Sequence, residues 1–167
     1  MSDHVVISNA TEADLEPMLD IYNDAILHTT AVYQEETHTI EMRRKWFEEK
    51  RQAGLPVFVA HVNDQFAGFS SYGPFRNWPG YRHTVEHSVY VAAGLRGMGI
   101  GKKLVKALIE HARQKKIHVI IAGIDAAGDA SIGLHESLGF KEVAHFKEVG
   151  FKFGRWLDLK FFELILD

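Results

Sequence analysis

Ser88-Val89-Tyr90-Val91-Ala92-Ala93-Gly94-Leu95-Arg96-Gly97-Met98-Gly99-Ile100-Gly101-Lys102-Lys103-Leu104-Val105 holds, in order, the end of a β-rich run, a glycine turn and the start of an amphipathic helix. Thr84 to Val91 alternates as a strand, with Val85, Val89 and Val91 on one face and Glu86, Ser88 and Tyr90 on the other. After the turn, Leu104, Val105, Leu108, Ile109 and Ala112 recur at helical spacing. A turn of this kind gathers backbone N–H groups that have no intrahelical partner, at the positive end of the helix dipole. Gly97, Gly99 and Gly101 remove Cβ atoms, while Arg96 and Lys102 add charge at the edges. The result suits a phosphate or pyrophosphate, although the same glycines also serve a tight strand-to-helix turn. Two familiar phosphate loops are excluded by counting. A Walker A loop needs Gly six residues before its Lys and Ser or Thr after it, and here those positions are Arg96 and Lys103. The dinucleotide fingerprint needs a third glycine three residues after the second, where this chain has Lys102 or Leu104.

Outward from the turn, the chain reads as alternating strands and helices. Val5 to Ser8 is a first strand, and Thr11 with Asp14 marks the start of a helix that runs to about His28. Thr39 caps a second helix that ends near Gly54. Val57 to Val62 and Phe66 to Tyr72 form a hairpin across Asn63-Asp64, and a loop covers Gly73 to His83. His118 to Ile124 is an apolar strand, Ala130 to Leu138 a short helix closed by Gly139, and Phe140 to Phe146 and Trp156 to Leu166 the last strands. This order predicts one α/β domain over residues 1–167, a mixed sheet with helices on both faces.

Composition narrows the function. The 167 residues are 46% hydrophobic and 25% charged, with a formal net charge of -3. That is the balance of a soluble globular chain with no basic field for nucleic acid. No run approaches the ~20 apolar residues that span a bilayer, and Met1 to Met18 lacks the basic start and apolar stretch of a signal peptide. A cytoplasmic protein is expected. The absence of cysteine excludes disulfides, thiolate metal sites and a cysteine nucleophile. The ten histidines do not suggest a metal. His83 and His87 would stand roughly 13 Å apart on a strand, and neither His111 nor His118 has a carboxylate at ligand spacing.

Val89-x-Val91 followed by Arg96-x-x-Gly99-x-Gly101 resembles the acyl-CoA loop of the GNAT N-acetyltransferases. Ala130-Ser131, Leu134-His135-Glu136 and Leu138-Gly139-Phe140 resemble the second half of that signature. The runs Thr84–Val91 and Lys152–Asp158, with Ile21–Asp24 and Arg76-Asn77-Trp78, are similar to the phosphinothricin/methionine-sulfone acetyltransferase subgroup, so the likeness spans most of the chain. It implies a mixed, mostly antiparallel sheet whose two central strands splay apart at the cofactor cleft. Acetyl-CoA would be the co-substrate, with no metal. The strand Val89-Tyr90-Val91 would hold its pantetheine arm, and the turn Arg96, Gly97, Met98, Gly99, Ile100, Gly101 and Lys102 its pyrophosphate. Asp129 and Ser131 would assist from the short helix. Gly128 stands where the family commonly has an Asn that touches the pantetheine, so Asp129, after a small shift, or a water takes that place.

Without a cysteine the acetyl group passes directly to an amine, which must first lose a proton. Glu86 is the candidate base, acting through water or with its pKa raised by the cleft. The resemblance implies the same residue, and implies His135 as proton donor to the leaving thiolate and the Val91 N–H as oxyanion donor. Arg76, Asn77 and Trp78 pair a fixed cation with an aromatic, which suits a carboxylate. Tyr33 and Tyr81 are candidate pocket walls. In the subgroup this loop and Glu86-His87-Ser88 contact the acceptor. Methionine sulfone, methionine sulfoximine and phosphinothricin are therefore the expected acceptors, and a homodimer the expected assembly. The Lys152–Asp158 run serves the site, the sheet edge or a dimer contact. Two other readings are a protein N-terminal or lysine acetyltransferase, which needs an open groove where the aromatic loop reads as a lid, and a non-catalytic acyl-CoA sensor, which needs no Glu86.

Overall fold

The computed structural model describes residues 4–167. Its frame is a seven-stranded sheet in the order β1-β2-β3-β4-β5-β7-β6. The strands are β1 Val5–Asn9, β2 Val57–Val62, β3 Gln65–Pro74, β4 Thr84–Val91, β5 Val119–Asp125, β6 Lys141–Lys152 and β7 Arg155–Ile165. Neighbours are antiparallel except β4 and β5, which are parallel. Helices α1 (Leu15–His28) and α2 (Ile40–Gln52) cover one face, and α3 (Ile100–Gln114) and α4 (Asp129–Ser137) the other. The mixed sheet with helices on both faces is thus what the strand and helix periods predicted.

Local chemistry explains most boundaries. The Thr11 N–H donates to Asp14 Oδ2 at 2.8 Å, which fixes the short 3-10 turn Glu12–Asp14 ahead of α1. Thr39 Oγ1 accepts from the Met42 N–H at 3.2 Å and starts α2. Asn63 and Asp64 both adopt positive φ, 48° and 67°, the geometry of a two-residue hairpin turn. One element departs from the reading. β6 runs on to Lys152 instead of stopping at Phe146, because a bulge between Phe146 and Gly150 absorbs residues 147–149 and lets pairing with β7 resume.

The core lies on both sides of the sheet. Leu15, Met18, Phe47, Val59 and Phe69 join α1 and α2 to β2 and β3. Val85, Val105, Leu108, Ile120, Ile124, Phe140 and Phe162 join α3 to β4, β5 and β7. Burial of each such side chain is worth roughly 1.5–3 kcal/mol. Among the described residues no helix is long and apolar enough to cross a membrane, and no three His, Asp or Glu side chains are grouped to hold a metal ion.

Candidate active site

The site is organised by β4. Ala92 N donates to Ala67 O at 2.8 Å and Thr84 O accepts from Phe75 N at 3.2 Å, so the even-numbered backbone groups face β3. His83 O accepts from His118 N at 2.8 Å, so the odd-numbered groups face β5. Pairing with β5 covers only Thr84–His87 against Val119–Ala122. Beyond it the two strands diverge, and the backbone of Val89 and Val91 is turned into the opening. Tyr90 is turned back to β3, where it pairs with Phe69.

Side chains alternate across the same strand. Glu86, Ser88 and Tyr90 face α1 and α2, whereas His87 faces α3 and α4 with Val85 and Val89. Glu86 is half-buried and leans across Gly123, with Oε1 only 3.3 Å from where a Cβ on residue 123 would stand. A Cβ at Gly123 would also stand 3.3 Å from the Phe161 ring, so a side chain there would require the carboxylate and the ring to give way by a few tenths of an ångström. Burial pushes the Glu86 carboxyl above its ordinary value, and the Arg76 guanidinium partly offsets this. The Phe161 ring lies at the same Gly123 position and belongs to a chain of rings, with Phe75, Tyr81 and Phe146, that meet edge-on with centroids 5.3–6.0 Å apart.

The loop Arg76-Asn77-Trp78 is open. Trp78 is 74% exposed, and Pro79 starts a short 3-10 turn that carries the indole outward instead of folding it over the site as a lid. Arg76 lies over the Phe75 ring at 5.2 Å, and Asn77 is exposed beside it. Tyr33 has its hydroxyl committed. It donates to Asp158 O at 2.8 Å and lies 3.1 Å from Asp125 Oδ2, while its ring packs flat on Gly150. Burial and then the Asp125 carboxylate push the Tyr33 phenol upward. Lys152, 1% exposed, donates to Thr29 O and Val32 O at 2.7 Å each and so fixes the segment that presents Tyr33. That gives part of the Lys152–Asp158 run a definite task.

In the glycine turn the three glycines do different work. Gly97 and Gly99 have φ of 80° and 77°, a conformation other residues adopt at a cost, and nothing stands where their Cβ atoms would be. Gly101 is in α3, and a Cβ there would meet Leu134 Cδ1 at 3.0 Å. It serves the packing of α3 on α4, so only two of the glycines open the cradle. Arg96 and Met98 are exposed, Lys102 is half-buried, and Ile100 is buried beneath.

At α4, Asp129 is exposed and Ser131 half-buried in the first turn. Gly128 donates to Asp125 O at 2.8 Å, and a Cβ on it would stand 3.1 Å from that oxygen. The tight turn thus favours glycine over the family's asparagine. His135 is 2% exposed, and both of its nitrogens are engaged. Nδ1 lies 2.7 Å from Ser131 O, which only accepts, so Nδ1 carries the hydrogen. Nε2, 2.9 Å from His87 Nε2, must then accept from it. His87 Nδ1 is left buried with no hydrogen-bond partner. Burial, then repulsion from His135, lowers His87 to about 3, and burial lowers His135 as well, so both rings are neutral. The two histidines form a core pair joining β4 to α4. This differs from the reading that grouped His87 with Glu86 and Ser88 and opened His135 to the cleft. Forty-eight residues separate them, and no local pattern signals the contact. Gly123 and Phe161, which stand beside Glu86, were likewise not singled out, although a lone glycine inside an apolar strand was a usable signal.

A family model described as an acetyltransferase (GNAT) domain matches residues 7–160. An L-methionine sulfoximine/L-methionine sulfone acetyltransferase of Salmonella typhimurium is 45% identical over 163 residues, 98% of this chain and 95% of that one. A Salmonella typhimurium acetyltransferase solved with its cofactor acetyl-CoA superposes with a TM-score of 0.95 at 45% identity, covering 98% of this chain and 94% of that one. A Brucella melitensis structure described as a ribosomal-protein-alanine N-acetyltransferase superposes at 0.94 with 52% identity, covering 96% and 99%. With the splayed strands, the glycine cradle and the carboxylate between them, these matches establish that the chain belongs to the GNAT family of N-acetyltransferases.

Proposed function

We propose that the protein acetylates the α-amino group of small L-amino-acid analogues, methionine sulfone, methionine sulfoximine and phosphinothricin among them, by direct transfer from acetyl-CoA. The observation that carries this reading is Glu86: a half-buried carboxylate with a raised pKa, on the face opened by Gly123, beside the gap between β4 and β5. The gap and the turn fit acetyl-CoA. Val89 and Val91 turn unpaired backbone groups into the opening, as an added strand requires, and Gly97 and Gly99 leave room for phosphate oxygens at the start of α3. Arg96 and Lys102 supply charge, and Asp129 and Ser131 flank the cradle from α4. The co-substrate contributes the acetyl group. Glu86 takes the proton of the acceptor ammonium, directly or through water, and the Val91 N–H faces the reacting carbonyl. Arg76 holds the acceptor's carboxylate, with Asn77 and Trp78 beside it and Ser88 and the Tyr33 ring as walls. His87 supports from behind through His135. His135 supports α4 on the side of the leaving thiolate, with its Nδ1–H given to Ser131 O and the Ser131 hydroxyl 3.5 Å away. The whole chain acts as one catalytic domain, paired as a homodimer. Phe151, Phe153 and Trp156, each more than half exposed on the β6–β7 hairpin, offer the apolar surface such pairing needs.

A second reading, acetylation of a protein N-terminus, is favoured by the description of the Brucella relative and by the open position of Trp78. Free-thiol release from acetyl-CoA separates the two, using the three analogues and an alanine-terminated peptide as acceptors. Turnover of the analogues at least tenfold above the peptide supports the small-acceptor reading, and the reverse order overturns it. Binding without turnover of any acceptor would mark a sensor. Glu86→Gln should lower kcat about 100-fold with acetyl-CoA affinity within twofold. Because Glu86 must be ionised, the wild-type rate rises with pH through a midpoint above the ordinary carboxyl value, and the variant lacks that limb.

A further inference from the structure

Arg43 is a charged residue where the helix pattern calls for an apolar one. It lies on the inward stripe of α2, one turn before Phe47, and is 3% exposed. Its guanidinium is stacked among rings, with Cζ 4.4 Å from the centroid of Tyr22, 4.6 Å from Trp46 and 5.7 Å from Phe69. Nε is buried with no hydrogen-bond partner, and no carboxylate among the described residues pairs with the group. A guanidinium keeps its charge at any pH the protein meets. Aromatic faces repay only part of the cost of taking that charge out of water, so an arginine held this way lacks an oxygen partner.

The group borders a cavity of about 410 Å³, lined also by Tyr22, His38, Trp46, Ser88 and Tyr90. Glu49, the one carboxylate on its wall, is solvent-exposed and faces Lys45 at 3.9 Å. Ser88 joins this cavity to the reaction site. It stands two residues along β4 from Glu86 on the same face, a rise of about 7 Å. That is within reach of the side chain of an acceptor whose amine lies at Glu86. Arg76, at the opposite and exposed end of the site, is free for the α-carboxylate.

We propose that Arg43 determines acceptor specificity: reached past Ser88, its guanidinium binds the oxygen atoms on the oxidised sulfur or phosphorus of the acceptor side chain, between the Tyr22 and Trp46 rings. This rests on the small-amino-acid reading and extends it to a second cation. Methylene and methyl groups of such a side chain fit the aromatic walls, and its S–O or P–O oxygens supply the missing acceptors. An unoxidised chain of the same length leaves the guanidinium without a partner, which is how a site built around a polar group rejects an analogue lacking it.

The test compares L-methionine sulfone with L-norleucine, which has a similar unbranched chain and no side-chain oxygens. In wild-type protein, the Arg43 Nε–H resonance, identified by its loss in Arg43→Lys, should shift on saturation with the sulfone and stay in place with norleucine. In Arg43→Met, the kcat/KM ratio of sulfone to norleucine should fall at least tenfold, with the acetyl-CoA dissociation constant within twofold of wild type. A resonance that moves with both ligands or with neither overturns the inference, as does an equal loss of rate on both acceptors. Should Arg43→Met fail to fold, the wild-type titration decides alone. Wild-type protein that acetylates neither amino acid defeats the proposed function itself. Wild-type activity with an unaltered ratio in the variant defeats only the role of Arg43.

Discussion

Replacing His87 by glutamine should remove an acid sensitivity built into the join between β4 and α4. In the native protein His87 is wholly buried and held near a pKa of about 3 by burial and by His135, whereas an unfolded histidine titrates at about 6.5. As pH falls below about 6.5 the unfolded chain takes up a proton that the folded chain refuses. Stability must then drop by about 1.4 kcal/mol per pH unit until the folded value is approached. The histidine contribution is therefore intact at neutral pH and lost in acid. Between pH 7.5 and 4.5 the linkage relation gives a loss of about 3 kcal/mol from this one ring. The figure is insensitive to the folded pKa, because the window closes above it. A glutamine can donate to His135 Nε2 as the imidazole does and does not titrate. Urea unfolding followed by circular dichroism at the two pH values measures the difference. Wild type should lose about 3 kcal/mol more than His87→Gln. Equal losses in the two proteins, or a larger loss in the variant, would refute the assignment of His87 as a buried neutral ring. The consequence for function is direct, since the pair ties α4, which carries Asp129 and Ser131, to the strand that lines the opening.

Two further outcomes follow from the site geometry. Gly99→Ala places a side chain at φ 77°, costing about 1–2 kcal/mol and distorting the cradle, so acetyl-CoA affinity by calorimetry should fall at least tenfold while the acceptor KM changes little. Lys152→Met leaves Thr29 O and Val32 O without their donor and should lower the unfolding free energy by about 2 kcal/mol. Because Tyr33 is presented by that segment, the acceptor KM should rise with the acetyl-CoA dissociation constant unchanged, and an unaltered acceptor KM would separate Lys152 from the site.

What could be read from the sequence was what local periods encode. The alternation of β4 separated Glu86 and Ser88 from Val85 and Val89, and the Asn63-Asp64 pair and the caps at Thr11 and Thr39 marked true boundaries. Contacts between distant segments were silent. The same alternation puts His87 on the face away from Glu86, yet the family resemblance grouped them, and its partner His135 lies 48 residues further on. Arg43 was passed over, since a charge inside a helix is no local sign of burial. The pattern Ile40, Arg43, Phe47 at i, i+3, i+7 is in fact the inward face, with Arg43 and Phe47 buried and Ile40 partly so. The length of β6 was missed for another reason. A bulge resets register without a sequence signature, so pairing resumed beyond Phe146 where alternation had appeared to end.

The divergence of β4 from β5 is flanked by features of β3 and of β5. On β3, a Cβ at Gly68 would stand 2.5 Å from Tyr90 O, so the glycine lets β3 approach β4 unusually closely at the level of Tyr90. On β5, Asp125 Oδ1 accepts from the Ala127 N–H at 2.7 Å and Asp125 O from Gly128 at 2.8 Å, which turns the chain sharply into α4. Tyr33 and Asp158 hold the same corner from the β7 side. With β4 close against β3 and β5 anchored at its turn, pairing ends at His87 and Ala122. The backbone of Val89 and Val91 then opens between a face that carries Glu86 and a face that carries the buried histidine pair. A side chain at position 68 should therefore close the opening by relaxing β4 toward β5, even though residue 68 touches neither substrate.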